Sequence, residues 1–148
     1  MDEAGLRAAI STLVELKLAA AAGWTSAERA ALRRLGRDRL GRGEWTAACA
    51  LLEYAALLDL DSSEGWELLA GARLADRRWA EARAALEVAW SLQRTWRRAA
   101  VAALCCERLG EAGAAERWRE AARALAPGEA AEHRRMEQAL EPAEAGAS

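Results

Sequence analysis

The 148 residues include 21 basic and 23 acidic side chains, for a net charge of −2, and 53% of them are hydrophobic. This balance excludes a disordered chain and disfavours a polyanion-binding domain, which would be strongly basic. No apolar run reaches the length of a membrane span, so stable membrane insertion is not expected. Much of the hydrophobic fraction is alanine, and phenylalanine is absent. We therefore expect a single, close-packed, all-helical domain over residues 1–140.

Residues 2–22 have apolar side chains at helical spacing and predict an N-terminal helix. Asp2 and Glu3 suit its first turn, because carboxylates stabilise the amino end of a helix. The apolar stripe of this helix, which has no counterpart in the repeats that follow, contains Ile10, Leu13 and Val14. We expect these residues either to pack on the first repeat or to form a homodimer interface. Docking on a membrane surface is disfavoured, since basic residues are few here.

A six-residue run recurs with an offset of 34 residues. Residues 43–48 read Gly-Glu-Trp-Thr-Ala-Ala, and residues 77–82 read Arg-Arg-Trp-Ala-Glu-Ala. The same offset relates Leu35 to Leu69, Leu40 to Leu74, Leu52 to Leu86, Ala55 to Ala89 and Leu58 to Leu92. A large residue followed three positions later by a small one, at this period, is typical of the tetratricopeptide helix-turn-helix unit. We therefore predict an all-α tetratricopeptide-repeat solenoid, with Trp45 and Trp79 as packing residues.

Capping signals and glycines divide the chain after residue 22 into three repeats. Three stretches predict helix starts: the capping box from Thr25 to Glu28, the run Asp61-Ser62-Ser63-Glu64, and Thr95. The predicted helix pairs are 26–42 with 45–59, 63–76 with 79–93, and 96–110 with 112–126, within repeats 26–59, 63–93 and 96–127. Residues 128–140 predict a capping helix, which a solenoid needs to cover its last repeat. Residues 141–148 are expected to form a disordered tail.

No set of residues typical of catalysis is present in the sequence. His133 is the single histidine and is expected at the surface, and the three cysteines, Cys49, Cys105 and Cys106, lack metal-ligand spacing. Phosphate-binding loops and nucleophile elbows are also missing. We therefore predict a non-enzymatic protein without catalytic residues, cofactor or metal, in a reducing compartment. Three less constrained tryptophans remain candidates for an interface, namely Trp24, Trp90 and Trp96.

The first helix of each pair is expected to line the concave face of the solenoid. Helical spacing places on this face Arg33, Arg37 and Leu40 of the first repeat, Glu64, Glu67, Gly71 and Leu74 of the second, and Arg97, Ala100, Leu104 and Glu107 of the third. Apolar centres with charges of both signs suit an extended peptide that has small or apolar anchors. A merely solvated face is the alternative. A clamp for a C-terminal carboxylate is disfavoured, because the chain has no asparagine and only one lysine, Lys17.

The order of these parts and several local runs resemble the translocator chaperones of bacterial type III secretion systems. Residues 43–48 stand where that family has a Gly-Lys-Tyr-x-x-Ala run. Leu58 and Asp59, followed by Trp66 and Gly71, are similar to its Leu-Asp … Trp-x-x-x-x-Gly pattern. Residues 99–110, which contain Cys105, Cys106 and Gly110, are similar to its Ala-Glu-Cys … Leu-Gly run. The resemblance covers about residues 4–140.

The resemblance implies a non-enzymatic chaperone of the bacterial cytoplasm. It would bind an extended segment of a secreted, pore-forming translocator in the concave groove, keep that client soluble until export, and self-associate through its N-terminal helix. Arg39 and Arg73 stand where the first helices of the family often have tyrosine, so client contacts are not transferred residue by residue. The competing hypothesis is a general repeat adaptor or scaffold for a bacterial complex. Neither hypothesis involves nucleic acid.

Overall fold

The chain consists of helices that pack on their neighbours in sequence. The computed structural model describes residues 2–142, except for the side chains of Leu13 and of residues 15–22. The described residues form eight α-helices and no strand: α1 Glu3–Gly23, α2 Ser26–Gly41, α3 Trp45–Leu58, α4 Ser63–Ala75, α5 Trp79–Leu92, α6 Trp96–Arg108, α7 Ala112–Ala124 and α8 Ala130–Leu140. The pairs α2–α3, α4–α5 and α6–α7 stack in order, with α1 against α3 and α8 against α6. This arrangement confirms the predicted three-repeat solenoid with a flanking helix at each end.

The first helix of each repeat begins at a hydroxyl side chain. Thr25 Oγ1 accepts a hydrogen bond from Glu28 N at 3.1 Å, and the Thr25 amide donates one to Glu28 Oε2 at 2.9 Å. Ser62 accepts from the amide of Gly65, and Thr95 accepts from the amide of Arg98. These bonds satisfy amides that have no partner inside the helix. The capping signals of the sequence therefore mark the starts of α2, α4 and α6.

The second helices begin in a different way, after a corner in the left-handed backbone region. The corner residue is Gly43 before α3 and Gly110 before α7, each with φ of +75°, but it is Arg77 before α5, with φ of +58°. A side chain at positive φ strains the backbone by about 1–2 kcal/mol. The corner between α4 and α5 is therefore under a strain that the two glycine corners avoid.

The core is made mostly of alanine and leucine. One cluster joins the first two repeats to α6 and includes the fully buried Ala48, Leu52, Leu69 and Ala82. A second cluster joins α6, α7 and α8, and in it Met136 and Leu140 are buried. Small residues allow close helix approach.

The tightest approach is between α2 and α3. A Cβ atom at Gly36 would lie 2.6 Å from Cδ2 of Leu52, so glycine is required at this contact. Trp45 remains 40% exposed over the first corner, so it covers the edge of the core and does not fill its centre.

The last helix, α8, begins two residues later than the sequence indicates. Pro127 and Gly128 precede it, and Glu129 has an extended backbone at its amino end, so the helix begins at Ala130. Met136 and Leu140 face the core, as expected for a capping helix, whereas Arg134 and Arg135 are exposed. Most of the predicted tail, residues 143–148, lies outside the described residues.

The N-terminal helix, α1, leaves most of its described surface uncovered. It contacts α3, and at the connection to α2 the ring of Trp24 meets Tyr54 edge-on at 5.9 Å. Leu6, Ile10 and Val14 are each 51–52% exposed. These apolar side chains lie four residues apart and therefore share one helix face. Packing on the first repeat does not bury this stripe.

Candidate functional site

The first helices form a groove with an apolar cavity at its centre. The cavity has a volume of about 320 Å³ and is bounded by side chains of α2, α4 and α6 over Leu86 of α5. Its apolar lining includes Leu40, Leu68, Leu74 and Val101. Gly71 leaves a gap in this wall, because a Cβ atom there would meet no atom within 4 Å. This first cavity has room for an apolar side chain of a ligand.

The polar edge of the first cavity is built on a buried arginine. Arg98 is 6% exposed, and its Nε donates to Glu67 Oε2 at 2.6 Å. The same guanidinium donates to the Gln93 carbonyl at 2.6 Å and to Ser63 Oγ at 3.3 Å. These bonds fix the orientation of the Glu67 carboxylate, which is about half exposed beside the cavity. A charge-assisted bond of this kind is stronger than a neutral one.

Ion pairs connect the first helices to one another along this edge. Arg37 of α2 pairs with Glu64 of α4 at 2.8 Å. Glu67 of α4 pairs with Arg98 of α6, and Arg97 of α6 pairs with Glu132 of α8. We call these the interhelix ion pairs. The exposed pairs each contribute little to stability, but together they connect all four helices that border the groove.

A second cavity of about 280 Å³ continues the groove between α6 and α8. Val101 lines both cavities, and Leu104, which is 36% exposed, lines the second. At its end, the buried Arg119 of α7 donates to Glu107 and, at 3.0 Å, to the Leu140 carbonyl. Glu107 is therefore held by an arginine at the end of the groove.

The residues proposed from the sequence fall into four groups in the structure. Leu40, Glu67, Gly71, Leu74 and Arg97 surround the first cavity. Ala100, Leu104 and Glu107 line the second. Arg33 lies outside both cavities, where it bonds Asp59 and Ser62, each at 3.1 Å, across the connection from α3 to α4. Arg37 and Glu64 pair with each other at the exposed rim. The ion pair with Asp59 thus explains why Arg33 does not enter the groove.

The residues of the first cavity that sequence reasoning missed include Leu68, Arg98 and Val101. The 34-residue period identifies equivalent positions in successive repeats. These three residues lie next to such positions on their helices, so the period does not select them. A signal for Val101 was present, since it is a large apolar residue in the alanine-rich α6. No comparable signal identified Arg98, because its role depends on Glu67 of the preceding repeat.

The cysteines are buried thiols. Burial raises the pKa of Cys105 to about 11 and also raises the pKa of Cys49. Thiols with raised pKa values remain protonated near neutral pH and react poorly as nucleophiles. Among the described residues, no group of histidine, cysteine and acidic side chains has the geometry of a metal site. Within the same part of the chain, no helix is long and apolar enough to cross a membrane.

Several solved structures have a similar fold. A type III secretion complex from Aeromonas hydrophila has a TM-score of 0.75 and 22% identity, over 89% of this chain and 92% of that chain. PcrH of Pseudomonas aeruginosa, solved with the chaperone binding region of PopB, has a TM-score of 0.71 and 23% identity, over 79% and 98%. SycD of Yersinia enterocolitica, solved with a peptide of the translocator YopD, has a TM-score of 0.71 and 20% identity, over 78% and 92%.

No family model and no curated protein matches the chain by sequence. The similarity therefore rests on the fold, at identities of 20–23%. It agrees with the resemblance that the repeated run and the order of helices indicated. The chain has the tetratricopeptide-like fold of the type III secretion translocator chaperones.

Proposed function

We propose that this protein is a chaperone that binds an extended segment of a secreted, pore-forming translocator and keeps it soluble before export. The observation that carries the proposal is the apolar cavity beside Gly71, in a fold that PcrH and SycD also have. PcrH was solved with a region of PopB and SycD with a peptide of YopD. A client of this class has membrane-seeking segments that aggregate without a partner.

The groove supports this proposal through its apolar lining and its fixed carboxylate. Burial of one apolar client side chain beside Gly71 would contribute about 1.5–3 kcal/mol to binding. The Glu67 carboxylate, held by Arg98, is positioned to accept a hydrogen bond from a client backbone amide. The second cavity, beside Leu104, offers a second anchoring point along the same client strand. The groove thus combines apolar anchors with a polar contact, which suits an extended peptide.

The same proposal assigns the protein to the bacterial cytoplasm and gives it no enzymatic role. A general repeat adaptor would use the same groove for a segment of another complex. The two functions differ in their clients. Only the chaperone increases the solubility of a membrane-active protein.

A homodimer through α1 is the second part of the proposal. Ile10 and Val14 are half exposed on one face of α1, and the side chain of Leu13, the third residue predicted for this interface, lies outside the described residues. SycD has been solved in an alternative dimer. We expect a two-chain mass by light scattering at micromolar concentration. A one-chain mass would contradict the dimer without affecting the groove.

The proposal predicts that the membrane-active client is encoded beside this gene, and co-expression with that client tests the chaperone function. The wild-type chain should move that protein into the soluble fraction and co-purify with it. Gly71→Arg should abolish co-purification, because the new side chain fills the gap in the groove wall. Ala75→Arg, an exposed position at the end of the same helix, is the matched control and should behave as wild type. Co-purification that survives Gly71→Arg would contradict the proposed site.

A further inference from the structure

Two buried arginines each hold a glutamate at the groove. Arg98 of α6 is 6% exposed and pairs with Glu67 of α4, and Arg119 of α7 is 8% exposed and pairs with Glu107 of α6. Among the described side chains, these two arginines are the buried charged ones. A buried charge is costly unless it is paired and hydrogen-bonded. We call the two glutamate side chains the held carboxylates.

The held carboxylates have fixed positions, because both guanidinium groups have other partners as well. Arg119 donates to the Leu140 carbonyl at 3.0 Å and to Glu116 at 3.2 Å. Arg98 donates to the Gln93 carbonyl at 2.6 Å. A guanidinium that is bound on several sides presents its remaining donors in one direction. Each carboxylate is therefore oriented before any client binds.

The held carboxylates also keep room for another hydrogen bond. Among the described residues, only Arg98 donates to the side chain of Glu67, and only Arg119 donates to that of Glu107. A carboxylate has about four acceptor sites, and one guanidinium occupies at most about two of them. The side chains are 47% and 21% exposed, so solvent reaches both. Each carboxylate is thus an oriented acceptor with free capacity.

The two acceptors border neighbouring cavities of the groove. Glu67 lines the first cavity and Glu107 the second, and Val101 lies between them because it lines both. From Arg98, which holds Glu67, to Glu107 is nine residues of α6, or about 14 Å along its axis. An extended strand covers that length with about four residues.

A client strand that covers the groove separates these acceptors from water. A charged group that loses its water without gaining a hydrogen bond weakens binding, so the client has to bring a donor to each carboxylate. The arginines already neutralise the carboxylates, so the donor needs no charge of its own. The amide of any residue except proline is such a donor, and an extended strand leaves it free.

We propose that Glu67 and Glu107 set the register of the client by accepting one backbone amide each, about four residues apart. Apolar client side chains then enter the two cavities between these contacts. The groove thereby selects an extended segment with apolar anchors and without proline at either amide position. The assignment rests on the chaperone function proposed for the groove and adds Glu107 as a residue that determines specificity.

N-methylation of single client amides tests the register, since it removes one amide donor and keeps the side chain. The probe is the fluorescently labelled peptide that binds most tightly among those tiling the co-purified client. A series of this peptide has one N-methyl group at each position in turn, and anisotropy with the full-length chain gives each dissociation constant. N-methylation at two positions about four residues apart should raise the constant at least about tenfold.

Glutamine variants identify the carboxylate that each amide meets. A guanidinium has only donors, so it keeps the glutamine carbonyl oxygen and the glutamine NH2 group faces the client. Glu67→Gln should therefore weaken the unmodified peptide and remove the N-methyl penalty at one of the two positions, and Glu107→Gln should remove it at the other. Glu87→Gln, an exposed position on α5 away from the groove, is the matched control and should change neither penalty.

The outcomes separate the register from the function on which it rests. A wild-type chain that binds the peptide without a penalty at two such positions would overturn the register and leave the chaperone function intact. Penalties that persist in both glutamine variants would do the same. A client of which no peptide binds the wild type would overturn the groove and the register together. The scan with the wild-type chain does not depend on the folding of any variant, and circular dichroism confirms folding of the three variants.

Discussion

The groove differs from the α5–α7 trench, a surface depression lined by Trp90, Trp118 and Ala121, in the partners of its arginines. In the groove, Arg37, Arg97 and Arg98 each pair with a glutamate on a different helix. In the trench, Arg94 and Arg117 have no carboxylate partner among the described residues. Paired charges stabilise the arrangement of helices, and in the proposed complex the client is recognised by the apolar cavities and the Glu67 carboxylate. The unpaired arginines leave exposed positive charge on the trench, and salt screens that charge.

The largest expected difference between the two surfaces is in stability. Glu67→Leu leaves the Arg98 guanidinium buried without its carboxylate and should lower the free energy of unfolding by about 3 kcal/mol. Arg94→Leu removes an exposed side chain and should change it by less than about 0.5 kcal/mol. Urea unfolding of both variants measures the difference. Equal effects would show that the Glu67–Arg98 pair does not hold the groove together.

The stability of the protein at alkaline pH tests the buried residues between the groove and the trench. Cys106 lines the trench, and its neighbour Cys105 lies in the core beneath the groove. Burial raises the pKa of Cys105 from 9.0 to about 11, so the folded state favours the protonated thiol. Its contribution to stability is complete below pH 9 and is lost as the pH rises towards 11, by up to about 2 kcal/mol.

Cys105→Ala is the matched variant for this measurement. Urea unfolding between pH 8 and pH 11 should show a smaller loss of stability in Cys105→Ala than in the wild type. Parallel pH profiles for the two proteins would contradict a buried, protonated Cys105.

A smaller effect is expected at the corner that joins the groove helix α4 to the trench helix α5. Arg77→Gly should raise the free energy of unfolding by up to about 1 kcal/mol, because glycine adopts positive φ without strain. Gly110→Ala, at the equivalent corner and with no atom near its Cβ position, should lower it by a similar amount. Thermal melts measure both changes, as a higher melting temperature for Arg77→Gly and a lower one for Gly110→Ala. Effects of the same sign would contradict the strain at Arg77.

At Gly71, one substitution is expected to stabilise the fold and to abolish client binding. Glycine inside a helix costs about 1 kcal/mol relative to a good helix former, and the space around Gly71 is open. Gly71→Arg should therefore raise the melting temperature while it blocks the first cavity. A lower melting temperature would show that the loss of client binding reflects damage to the fold.

Much of the fold was predictable because tetratricopeptide packing has a local signature. The offset between Trp45 and Trp79, together with the capping signals at Thr25 and at residues 61–64, predicted the helices and their pairing. The predicted start of α8, at residue 128, was two residues too early. Pro127 was taken as the end of the third repeat, and the extended backbone of Glu129 was not foreseen.

Side-chain partners could be predicted only in part. Periodicity identifies equivalent positions, and so it selected Leu40, Gly71 and Leu74, which line the first cavity. It does not identify ion pairs between repeats, which depend on how neighbouring helices are rotated. Arg33 therefore bonds Asp59 outside the groove, while Arg98 was overlooked. Trp90 was named as an interface candidate, but the trench itself was not predicted, because Trp90 and Trp118 belong to different repeats and do not follow the 34-residue period.

The most direct test of the proposed groove is the binding of short peptides that tile the client, measured by fluorescence anisotropy with the full-length chain. One region of the client should bind the wild type. Gly71→Arg should weaken that binding at least about tenfold, whereas Ala124→Arg, in the trench, should leave it unchanged. Binding that is lost in Ala124→Arg and retained in Gly71→Arg would contradict the account and place the client on the other surface.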